Sequence, residues 1–147
     1  MKIKLTMTRQ QYQGVMTIAG NSLRMIAGED FRAVQSRDAL QGLLQRSQLR
    51  LLLLKDRGNR LSLSDSEALA LYECCACLAD RFMPYERATA LWLLEQIDLD
   101  ELSAQLKEEL KLLSGIRGTE RVQALLDYVA DCSRSPRETD LAMLAWL

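Results

Sequence analysis

Apolar positions follow a period of two in only two short segments of this chain, and a period near 3.6 almost everywhere else. The two segments resemble each other. Lys4-Leu-Thr-Met-Thr-Arg-Gln-Gln11 and Arg60-Leu-Ser-Leu-Ser-Asp-Ser-Glu67 both run basic, apolar, hydroxyl, apolar, hydroxyl, and both place Gln or Glu three residues after the second hydroxyl, Thr8 or Ser64. The alternation predicts a short strand. The end predicts a capping box, with Thr8 or Ser64 as N-cap and Gln11 or Glu67 reaching back to it. Each segment therefore reads as a strand running directly into a helix. A lone strand leaves its backbone donors and acceptors unsatisfied, so residues 2–7 are expected to pair with residues 60–63.

The remaining stripes are helical. Tyr12, Val15, Met16, Ala19, Leu23 and Ile26 predict a helix over about 9–27, with Gly28 as its C′ residue and Gly14 and Gly20 weakening it slightly. The stretch SQLRLLLLKDRGNRLSLS admits two readings: a hairpin turning at Asp56–Asn59, or the end of a helix that begins near Asp30 or Ser36. Its leucine content and lack of β-branched residues favour the helix, stopped by Gly58. Leu40, Leu43, Leu44, Leu51 and Leu54 share one face, and Leu49, Leu52 and Leu53 lie off it. The later turns are thus apolar nearly all round, as in a central helix or a partner interface. Further stripes predict helices from Asp65 to about Phe82, from Pro84 to about Ile97, from Leu99 to Ser114 and from Thr119 to about Cys132. Ser135-Pro-Arg-Glu138 opens a C-terminal helix that would dock by Leu141, Leu144 and Trp146 or cover a partner. The expected fold is mainly α: one domain over residues 1–147, with six or seven helices and a small two-stranded sheet.

Composition narrows the chemistry. The 147 residues are 48% hydrophobic and 27% charged, the balance of a globular chain, and none is histidine. Without histidine there is no Ser-His or Cys-His nucleophile pair and little scope for zinc, so an enzyme is not expected. The longest strongly apolar run, Leu51–Leu54, cannot span a bilayer, and the N-terminus lacks the apolar core of a signal peptide. The expectation is a cytoplasmic chain with reduced thiols and no membrane association.

The segment YECCACLADRF, Tyr72 to Phe82, holds three of the four cysteines. On a helical wheel Ala68, Leu71, Tyr72, Cys75, Leu78, Ala79 and Phe82 form one apolar arc, so Cys75 reads as a core residue. Cys74 and Cys77 form a CxxC on the flank. They lie two to three turns inside the helix, away from the N-terminal amides that activate redox pairs. No second CxxC supplies further zinc ligands. Metal and cofactor sites are therefore not expected. Gly115-Ile-Arg-Gly118 has the spacing of a nucleic-acid clamp but reads more simply as a C-cap and turn. The carboxylates of Asp98-Leu-Asp-Glu101 read as N-capping groups rather than cation ligands.

Charge is unevenly divided. Residues 1–60 carry eleven Lys/Arg against four Asp/Glu, a balance of +7, and residues 61–147 carry eight against sixteen, a balance of −8. Either the two halves interleave their charges or the first half presents a basic surface. Arg46, Arg50 and Arg57 fall within about 40° of one another beside the apolar face of the leucine-rich helix. Two functional expectations follow. The first is a non-enzymatic interaction or accessory module, or a homo-oligomer, using surplus apolar surface at Leu49, Leu52, Leu53 and Trp146. The second is a nucleic-acid-binding accessory protein with Arg46, Arg50 and Arg57 on phosphates.

Overall fold

A computed structural model describes residues 2–77, 81–112 and 119–134. The chain runs β1 (Lys2–Met7), α1 (Arg9–Met25), α2 (Phe31–Leu51), β2 (Asn59–Ser64), α3 (Asp65–Cys77), α4 (Pro84–Gln96), α5 (Leu99–Leu112) and α6 (Thr119–Arg134). The fold is mainly helical, with a small antiparallel sheet of β1 and β2. Its register sets Leu5 opposite Leu61 and Ile3 opposite Leu63. Because successive strand residues point to opposite faces, Leu5, Met7, Leu61 and Leu63 enter the core while Lys4, Thr6 and Arg60 stay exposed.

Both capping boxes form. Thr8 Oγ1 accepts from the Gln11 amide at 3.1 Å, and Gln11 Oε1 accepts from the Thr8 amide at 3.0 Å. Ser64 Oγ accepts from the Glu67 amide at 3.2 Å, and Glu67 Oε1 accepts from the Ser64 amide at 2.8 Å. Each strand therefore passes into its helix without a loop, and the sheet fixes where α1 and α3 start. Pro84 opens α4 as its first helical residue. Asp98 caps α5, its Oδ1 accepting from the amides of Asp100 and Glu101.

Three boundaries differ from the sequence expectation. Helix α1 ends at Met25 with Ile26 as C-cap, so Gly28, at φ +106°, stands one place beyond the C′ position rather than at it. Helix α2 ends at Leu51, seven residues before Gly58. Residues 52–58 are neither helix nor hairpin strand. The amides of Leu52 and Leu53 turn back to the carbonyls of Leu49 and Arg50, and Leu54 drops into the core. Asn59 then locks the turn: Nδ2 donates to the Lys55 and Met7 carbonyls, and Oδ1 accepts from the Lys55 amide. Gly58, at φ +75°, serves the entry into β2 rather than a helix stop. Helix α3 ends at Cys77; residues 78–80 of the expected helix lie outside the described residues, and Phe82 returns to the core.

The central helix is α3, not the end of α2. From Glu67 to Ala76 every α3 residue except Glu73 is buried, and α3 packs on α1, α2, α4 and α6. Its alanines let neighbours approach from several sides. One cluster of buried side chains draws on all eight elements. Helix α6 is held to α2 and α3 by polar contacts as well. Arg32 pairs with Glu73 at 3.1 Å and with Asp131 at 3.2 Å, and its guanidinium lies 4.0 Å from the Tyr128 ring centre. The Tyr128 hydroxyl donates to Glu73 and shares a hydrogen bond with Ser36. The predicted segments Gly115–Gly118 and Ser135–Leu147, with Trp146, lie outside the described residues.

Two predictions follow from packing and charge. A Cβ on Gly14 would meet Thr89 Oγ1 of α4 at 2.5 Å, whereas one on Gly20 meets nothing within 4 Å. Gly14 is thus a close-approach residue rather than a mere weakness. Gly20→Ala should raise the melting temperature by about 2–4 °C and Gly14→Ala should lower it; the same sign for both would refute the assignment. Burial raises the Glu73 pKa, opposed by the charge and hydrogen bond of Arg32. Glu73 therefore binds its proton more tightly folded than unfolded. Its contribution to stability is present at low pH and is lost as pH rises from the ordinary carboxylate range through the raised folded value. A carboxyl-carbon NMR titration should show a Glu73 midpoint above that of an exposed glutamate, moving further up in Arg32→Met.

Candidate functional site

The end of α2 presents an apolar surface that the fold holds rigidly outward. Leu49, Leu52 and Leu53 are 77%, 81% and 76% exposed. The turn that carries them is pinned from beneath. Leu54 is buried, Asn59 clamps Lys55, and Arg9 donates to the Leu54 carbonyl at 2.9 Å and pairs with Asp56 at 3.3 Å. The Arg9 amide also donates to the Asp56 carbonyl at 3.1 Å. These bonds hold residues 54–59 beside the leucines against the start of α1. Arg50, Lys55 and Arg57 are exposed alongside them.

A second surface opens between α2 and the outward face of the sheet. This groove, about 680 Å³, is lined by Lys4 and Thr6 of β1, Tyr12 of α1, Arg46, Ser47 and Arg50 of α2, and Arg60 and Ser62 of β2. Arg46 is fixed at its edge, donating to the Glu67 carboxylate and the Ser62 carbonyl. Glu67 thereby serves both the α3 capping box and the α2 contact. Partial burial lowers the Arg46 pKa, with Tyr12 acting the other way. The structure brings Arg46 and Arg50 together as expected but does not bring Arg57 to the groove. Lys4, Arg60 and Ser47 were not anticipated there. The signal for two of them was present: Lys4 and Arg60 occupy the same place in the two matching segments, and strand alternation puts both on the outward face once the strands pair.

The cysteines behave as packing groups. Cys75 is fully buried and Cys74 and Cys132 nearly so, while Cys77 is exposed, so the expected flank divides between interior and surface. Burial pushes the Cys74 and Cys132 thiols up to about 12 and the Cys75 thiol up as well. Among the described residues no cluster of three or more Cys, Asp and Glu side chains is arranged to hold a metal ion, and no helix is long and apolar enough to cross a membrane. Comparison with protein-family models, curated proteins and solved structures finds no match to this chain.

Thiol counting tests the cysteine assignment. Under native conditions one thiol, Cys77, should react quickly with a chromogenic reagent, and Cys74, Cys75 and Cys132 should react only after denaturation. Rapid native labelling of Cys75 would contradict its place in the core.

Proposed function

We propose that this chain is a non-enzymatic protein-interaction module that docks through the leucine turn at the end of α2. The single observation that carries the reading is the exposure of Leu49, Leu52 and Leu53, each about three-quarters or more open, on a turn whose backbone is pinned by Arg9 and Asn59. Large apolar side chains kept at the surface cost solubility, and a rigid apolar tip loses little conformational entropy when it is covered. The upward-shifted thiols of Cys74, Cys75 and Cys132 and the lack of histidine support a non-enzymatic reading.

The basic residues beside the tip point to the partner's chemistry. Arg50, Lys55 and Arg57 are exposed in the same stretch of chain as the leucines, so the surface we propose as its partner is an apolar pocket rimmed by carboxylates. An isologous contact between two copies would bring like charges together, which favours a different protein over self-association.

The test pairs Leu52→Glu/Leu53→Glu with the wild type. Proteins retained from cell extract by the wild-type chain should be lost by the variant, and a purified partner should bind the variant at least roughly a hundredfold more weakly, given about 1.5–3 kcal/mol per buried leucine. Identical retained sets with a folded variant would refute the docking surface. Sedimentation velocity should show a wild-type monomer; a dimer abolished by the variant would reassign the surface to self-association.

A further inference from the structure

We infer that the groove between α2 and the sheet is a binding site for a small ligand carrying two or three linked phosphate groups. This goes beyond the leucine turn, and the two surfaces meet at Arg50. Four cations from three elements converge on the groove: Lys4, Arg46, Arg50 and Arg60. Among the described residues no carboxylate lines it. Arg46 is engaged by Glu67, whereas Lys4, Arg50 and Arg60 make no ion pair among the described residues. Three like charges held together without a counter-ion repel one another, and a bound anion removes that penalty.

A second observation points to a ligand. Ser47 is 2% exposed, lines the same groove, and its Oγ has no hydrogen-bond partner among the described residues. A buried hydroxyl without a partner is costly, and a phosphate oxygen in the groove would satisfy it. The hydroxyls of Thr6 and Ser62 add donors beside it. Arginine forks with hydroxyl donors suit phosphate oxygens.

Charge and shape set the size of the ligand. A phosphate monoester carries about −1.5 to −2 at pH 7, so two linked phosphates match three unpaired cations. The volume of about 680 Å³ is that of a small-molecule site. A nucleic-acid strand is disfavoured. Tyr12, the one aromatic residue among the lining residues, is 1% exposed and offers no stacking face, and the acidic second half of the chain would repel a longer backbone.

The experiment is calorimetric titration of the full chain with pyrophosphate, triphosphate, orthophosphate and a single-stranded oligonucleotide, at low and near-physiological salt. Pyrophosphate and triphosphate should bind, orthophosphate should bind at least about tenfold more weakly, and affinity should fall with salt. Arg50→Gln/Arg60→Gln should weaken triphosphate binding about tenfold or more. Ser47→Ala should also weaken it while leaving the melting temperature unchanged or raised, which separates ligand contact from a structural role. Lys4→Gln provides a second single-site check on an exposed residue. No binding of pyrophosphate or triphosphate at millimolar concentration would overturn the proposal. Unchanged affinity in the double variant would do the same, as would tighter binding of the oligonucleotide than of triphosphate.

Discussion

The pairing of β1 with β2 is the constraint on which the other elements depend. It joins residues 2–7 to residues 59–64 across the whole of α1 and α2. Two strands alone are marginal in water, so this ribbon survives because its inward face, Leu5, Met7, Leu61 and Leu63, is covered by the helices it launches. The dependence runs both ways. The capping boxes start α1 and α3 at the ends of the strands, and α3 then becomes the helix against which α1, α2, α4 and α6 pack.

Asn59 connects this ribbon to the surface. It is buried at the start of β2 and bonds to Lys55 and Met7, closing the exit of α2 against the end of β1. One consequence is that Leu54 is drawn inward. Another is that Leu52 and Leu53, adjacent in sequence, have nowhere to go but outward. The exposed apolar tip is thus a product of satisfied backbone polarity beneath it.

The opposed charges of the two halves are only partly spent on each other. Arg32 with Glu73 and Asp131, and Arg46 with Glu67, cross between them. Arg9 and Arg37 pair within the basic half, with Asp56 and Glu29. Of what remains, Lys4, Arg50 and Arg60 are brought to one groove. Both descriptions of the charge pattern therefore hold, in different parts of the surface.

Local order was legible in the sequence. Period-two alternation next to a hydroxyl-x-x-Gln/Glu signature defines strand and cap within eight residues, and those interactions are short-range, so Lys4–Gln11 and Arg60–Glu67 declare themselves. Cys75 was likewise readable as core, since a wheel needs only the neighbouring turns. The tertiary structure alone decided the rest. Leucine content argued for helix through residue 55, but the helix stops at Leu51: the amides of Leu52 and Leu53 tighten onto the carbonyls three residues back, and the Lys55 amide, which would have bonded to Leu51, is taken by the Asn59 side chain. Alanine-rich α3 carries a weak stripe, and its central position follows from being buried on all sides, which no single-face pattern encodes. The groove joins residues 4, 46, 47, 50 and 60, and the convergence of like charges around a buried, unpartnered hydroxyl arises only when the strands pair and α2 lies beside them. Electrostatics acts through space, and the sequence orders these residues along a line.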